Sequence, residues 1–84
     1  MIRLVLLGRL RDHASASHGE LALPEGVGTL SALQDWLGAR EPALGDVLRT
    51  VKPRVAVNRS LVRDLSHPIR DGDEVAFLPP MSGG

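Results

Sequence analysis

The apolar residues of this chain fall into short runs, each closed by turn-forming residues, around one stripe at helical spacing. Ile2-Arg3-Leu4-Val5-Leu6-Leu7 stops at Gly8 and reads as a strand. Ile2, Leu4 and Leu6 share one of its faces; Arg3, Val5 and Leu7 share the other. Arg9 to Gly19 is small and polar and reads as a loop. Glu20-Leu21-Ala22-Leu23 alternates and ends at Pro24, Gly26 and Gly28, giving a second strand in a hairpin with the first. Thr29 is a helix N-cap candidate, followed by Leu30, Leu33 and Leu37 at helical spacing, with Gly38 as a stop. After Glu41-Pro42, Leu44, Val47 and Leu48 predict a second short helix. Arg54 to Asn58 is a third strand, Arg59-Ser60 a turn, Leu61-Val62 a brief fourth strand, Asp71-Gly72-Asp73 a turn, and Glu74 to Leu78 the last strand. Strands grouped around one main helix predict an α+β domain, a mixed four- to five-stranded sheet packed on that helix. Ile2, Leu4, Leu6, Leu30, Leu33, Val55, Val57, Val75 and Phe77 are the expected core.

Composition removes several function classes. Eighty-four residues make one domain with a thin core. There is no cysteine, which excludes disulfides, thiolate metal sites and a cysteine nucleophile; sulfur chemistry here needs a group other than a side chain. Ten basic residues balance ten acidic ones, so the electrostatic footprint of a nucleic-acid binder is missing. No apolar run approaches the roughly 20 residues of a membrane span. Ile2 to Leu7 is too short for a signal-peptide core, and the expected location is cytoplasmic. His13, His18 and His67 share no metal-ligand spacing; no metal and no bound cofactor are expected. Trp36 is expected to pack at the helix edge.

The end of the chain carries the chemistry. Pro79-Pro80-Met81-Ser82-Gly83-Gly84 cannot continue a ladder, since prolines lack the N–H and glycines lack a side chain to pack. Six extended residues reach on the order of 20 Å. Glycines without a Cβ can thread a narrow channel in another protein. A terminal carboxylate, with a pKa near ~3.5, is ionised and unreactive at neutral pH. It transfers a group only after activation, for example as an acyl-adenylate, and sulfur replacing the adenylate gives a nucleophilic thiocarboxylate. Such a carrier needs no catalytic side chain of its own.

The stretch Val55-Ala56-Val57-Asn58-Arg59-Ser60-Leu61-Val62, then His67-Pro68-Ile69, then Asp71-Gly72-Asp73-Glu74-Val75-Ala76-Phe77-Leu78-Pro79-Pro80-Met81-Ser82-Gly83-Gly84 resembles the molybdopterin synthase small subunits. The resemblance covers the whole chain and is strongest over its last thirty residues. Phe-x-Pro-Pro-x-x-Gly-Gly after Asp-Gly-Asp-Glu-Val is its specific part; Gly-Gly alone is not. Members often carry Phe residues and Ala where this chain has Leu6-Leu7-Gly8.

The resemblance implies a ubiquitin-like β-grasp domain over residues 1–78 and a flexible tail over 79–84. It implies an E1-like adenylating enzyme that uses ATP on Gly84, and a sulfurtransferase system that converts the end to a thiocarboxylate. Pro79, Pro80, Met81, Ser82 and Gly83 would thread the tail into the large synthase subunit, which supplies the catalytic residues. There sulfur passes to cyclic pyranopterin monophosphate in molybdenum cofactor biosynthesis, within a heterotetramer of two small and two large subunits. The chain is then no enzyme on its own. Alternatives are a sulfur carrier for thiamine or tRNA thiolation, a ubiquitin-like modifier conjugated to lysines, and a passive interaction module. Thiamine-type carriers tend to be shorter and lack the Phe-x-Pro-Pro lead.

Strand alternation turns Leu7, Leu61 and Leu78 away from the core. Several leucines on one sheet face make a docking patch, the face through which ubiquitin-like proteins bind partners.

Overall fold

The structure, a computed structural model, describes residues 1–8, 10 and 18–79. In chain order it contains β1 (Ile2–Leu6), β2 (His18–Leu21), α1 (Leu30–Arg40), α2 (Pro42–Val51), β3 (Arg54–Val57), β4 (Ser60–Val62) and β5 (Glu74–Leu78). The sheet order is β2-β1-β5-β3-β4. β1 and β5 run parallel, and the remaining neighbours are antiparallel. The sheet is therefore mixed, with β5, last in sequence, at its centre.

Alternation along the strands builds the core. Ile2, Leu4, Leu6, Val55, Val57, Val75 and Phe77 are all buried, together with Leu30, Leu33, Leu37, Leu44 and Leu48 of the helices. Leu10 and Ile69, outside the regular elements, join them. All nine expected core residues are buried, and Phe77 is the one aromatic among them.

Thr29 caps α1 as expected, its side chain accepting from Ala32 N–H at 3.1 Å. Gly38 does not stop the helix, which runs on to Arg40. The stop is Glu41, whose position before Pro42 disfavours helical geometry. Gly38 instead permits a close approach of the two helices. A Cβ on Gly45 would lie 2.7 Å from the Gly38 Cα.

The strand boundaries differ from expectation at two places. β2 is His18–Leu21, two residues earlier than Glu20–Leu23, because Leu21 already faces Ile2 at the start of β1 and the ladder ends there. Leu23 still packs against the core from beyond the strand. β3 ends at Val57, and the turn is Asn58-Arg59, not Arg59-Ser60. Both turn residues have positive φ, 51° and 71°, the backbone a two-residue hairpin turn requires.

Candidate functional site: the end of the central strand and the open sheet face

β5 leaves the sheet at Leu78, which faces Arg54 of β3. On its other side Leu6 faces Phe77, and the Leu7 N–H donates to Phe77 O at 3.1 Å. The chain therefore enters Pro79 from a strand held on both flanks. Gly8, at φ +60°, lies directly against Pro79: a Cβ there would fall 2.7 Å from the Pro79 Cγ. The root of the tail is thus seated on the end of β1. Pro80, Met81, Ser82, Gly83 and Gly84 lie outside the described residues, as does the expected flexibility of that segment.

Among the described residues, no element covers the sheet face away from the helices. Alternation places Leu7, Leu61 and Leu78 on it, with Leu61 61% exposed and the other two half-buried. Leu7 and Leu78 are neighbours at the tail end of the sheet. Leu61 stands at the β4 edge, joined to them through a row of cross-strand partners, Val5–Ala76, Ala76–Ala56 and Ala56–Leu61. The paired alanines keep the centre of this face low and flat. Its polar rim is a shared ion pair: Glu74 lies 3.8 Å from Arg3 Nε and 3.7 Å from Arg59 Nε.

A flat apolar sheet face beside the exit of a central terminal strand is the geometry to compare with known proteins. The sequence profile of the ThiS family matches residues 4–84. The chain belongs to the ThiS family. It is 34% identical to the molybdopterin synthase sulfur carrier subunit of Escherichia coli, over the full length of both chains. At that identity and coverage it belongs with the family of molybdopterin synthase sulfur carrier subunits. Among solved structures it resembles SAMP1 from Haloferax volcanii, with a TM-score of 0.74 at 24% identity over 99% of this chain and 98% of the other. It also resembles a chain of the complex of subunits 1 and 2 of molybdopterin-converting factor from Helicobacter pylori, with a TM-score of 0.68 at 24% identity over 99% and 97%. At that identity both likenesses establish the β-grasp fold.

The far end of β5, opposite the tail, is clamped by the Asp71-Gly72-Asp73-Glu74 turn of this sulfur carrier. Asn58 donates from Nδ2 to Asp73 Oδ1 at 3.0 Å and accepts from the Glu74 N–H at 3.0 Å. Asp73 Oδ2 accepts from the Arg70 N–H at 2.9 Å. The Asn58 side-chain bond, then the Arg70 N–H, hold the Asp73 carboxyl below the ordinary aspartate value. The Met1 ammonium pairs with Asp71, and Gly72 N–H donates to Met1 O at 2.7 Å.

Trp36 flanks α1 as expected, with the Arg40 guanidinium 4.7 Å from its ring centroid. It lines a cleft of about 240 Å³ with Leu4, Leu6, Leu21, Leu37 and Leu44, on the helix side of the sheet. Among the described residues no group of three His, Cys, Asp or Glu side chains could hold a metal. No helix there is long and apolar enough to cross a membrane. Sequence reasoning missed the platform residues Ala56 and Ala76, although the alternation that placed Leu78 also placed them. It missed the seat that Gly8 makes for Pro79, a contact between distant residues with no local signal.

Proposed function

We propose that this sulfur carrier bears its sulfur as a thiocarboxylate on Gly84. An E1-like enzyme uses ATP to adenylate the carboxylate. A sulfur nucleophile supplied through a sulfurtransferase attacks the acyl carbon, a C–S bond forms, and AMP leaves. The tail, residues 79–84, then enters the large subunit of molybdopterin synthase. There the sulfur goes to cyclic pyranopterin monophosphate, and the large subunit supplies the catalytic side chains. The observation that carries this reading is the full-length similarity to the Escherichia coli subunit, which includes the Gly-Gly end. The absence of cysteine supports it, since no side chain offers a thiol. So does the seating of Pro79 on Gly8, which launches the tail from the middle of the sheet.

The open face carrying Leu7, Leu61 and Leu78 is the docking surface in this reading, for the large subunit and for the activating enzyme. A heterotetramer with one carrier at each end of a large-subunit dimer lets two tails work independently. The test is a reconstitution with activating enzyme, ATP, sulfide and the large subunit. Intact mass should show one oxygen of the carrier replaced by sulfur, and the sulfurated carrier should convert cyclic pyranopterin monophosphate to molybdopterin. A carrier that gains sulfur yet forms no molybdopterin with the large subunit would move the assignment to another thiolation pathway.

A further inference from the structure

The tail end of the sheet carries a row of side chains on the face away from the helices. Leu7 follows β1, Leu78 closes β5, and Arg54 opens β3 directly opposite Leu78. The pairings Val55–Val62 and Ala56–Leu61 put Arg63, just past the end of β4, at the next position of the same ladder, facing Arg54. Val55 and Val57 are buried, so alternation turns Arg54 away from the helices, and the same alternation turns Arg63 there with Leu61. Both arginines are exposed. The row runs Leu7, Leu78, Arg54, Arg63, with an apolar half and a basic half, at the root from which Pro79 departs.

Side chains directly opposite on antiparallel strands stand about 5 Å apart at Cβ, and like charges so placed are destabilising. Among the described residues no ion pair offsets this one, for none reaches Arg54 or Arg63. Asp64, the acid next to Arg63, instead accepts from Ser66 N–H at 2.9 Å. The other end of the sheet differs. There Arg3 and Arg59 share Glu74, and the Met1 ammonium pairs with Asp71. Charge that balances over the whole chain, ten against ten, is thus polarised along β5, compensated at its start and uncompensated at its end.

We propose that Arg54 and Arg63 are a docking pair for aspartate and glutamate side chains on the large subunit of molybdopterin synthase, beside the seat that takes Leu7 and Leu78. The proposal rests on the docking reading above and adds to it the charge that orients the carrier. A guanidinium stays protonated and offers paired N–H donors that match a carboxylate. An apolar contact flanked on one side by complementary charge fixes the sense in which the face is presented, and charges at such a rim act mainly by speeding encounter. The repulsion between the two arginines, uncompensated in the free carrier, is relieved in the complex.

The experiment follows association of the full carrier chain with the large subunit by surface plasmon resonance at low and high salt, about 0.05 M and about 0.5 M NaCl, alongside thermal melts. Arg54→Gln and Arg63→Gln should each slow association about threefold at low salt, and the double variant about tenfold, with dissociation little changed and the differences closing at high salt. The double variant should melt no lower than the unaltered chain, because a repulsion has been removed. Arg49→Gln is the control: it removes the same charge from an exposed arginine of α2 that pairs with Asp46, and association should be unchanged. An unchanged association rate in the double variant at low salt would overturn the proposal. So would equal slowing in Arg49→Gln, which would make net charge alone the cause, or a double variant that melts lower, which would assign the pair to the fold. Binding of inorganic phosphate to the isolated carrier, lost in the double variant, would assign the pair to a phosphate ligand and overturn it too. No binding of the unaltered chain to the large subunit at either salt would overturn the docking reading itself, and with it this proposal.

Discussion

Leu61 offers the cleanest separation of docking from folding. It is 61% exposed, so most of its side chain is still available for burial by a partner. Fully burying a leucine is worth about 1.5–3 kcal/mol, and the exposed share corresponds to about 1–2 kcal/mol. Alanine keeps the Cβ, which leaves about 1 kcal/mol to lose, or about fivefold in Kd. The fold should hardly notice, because a surface change of this kind stays within about 0.5 kcal/mol. Leu65→Ala is the matched control. Leu65 is 41% exposed, but its carbonyl accepts from Ser31 N–H beside the start of α1, on the other side of the molecule. Titration calorimetry of each variant against the large subunit, alongside thermal melts, gives both quantities. Leu61→Ala should weaken binding about fivefold with an unchanged melting curve, and Leu65→Ala should change neither the affinity nor the melting curve. Equal affinities for Leu61→Ala and the unaltered chain would remove Leu61 from the interface.

Other perturbations read other parts of the molecule. Gly45→Ala puts a methyl 2.7 Å from the Gly38 backbone and should cost about 1–3 kcal/mol, seen as a lowered melting temperature, with sulfur transfer per folded molecule unchanged. Asp73 has a folded pKa below its unfolded value, so its contribution is present above pH ~4 and is lost as pH falls through the lower folded value. Asp73→Asn should flatten the stability-against-pH curve in that acid range; an unaltered curve would mean the turn network does not discriminate the charged form. Deleting Gly84 should abolish thiocarboxylate formation and leave the melting curve in place, since catalysis depends on placing the reacting atom to within about an ångström and one residue retracts the terminus by roughly 3.5 Å.

What was legible in the sequence was what is local. Alternation is fixed by the period of a strand, so Ile2, Leu4, Leu6, Val55, Val57, Val75 and Phe77 could be assigned to the core without knowing strand order. Thr29 was legible because a cap acts within one turn. Gly38 was misread because its role depends on Gly45 of another helix, and a glycine that permits contact looks like one that ends a helix. The limits of β2 were misplaced because they are set by where β1 begins, not by the composition of β2. The family was legible for a different reason: the resemblance is carried most strongly by a short end motif that reads without any tertiary contact. The seat of that motif, Gly8 against Pro79, joins residues at opposite ends of the sequence and left no pattern to read.

The placement of β5 explains how the domain holds the root of its C-terminal segment firmly. As the central strand it is bonded to β1 on one side and β3 on the other. Its first residue is held by Asn58, and the preceding Asp73 is tied to both Asn58 and Arg70. Its side chains Val75 and Phe77 are fully buried. A pull on the tail is therefore resisted by two ladders and the core, not by one edge. An edge strand would peel under the same load, one hydrogen-bonded neighbour at a time.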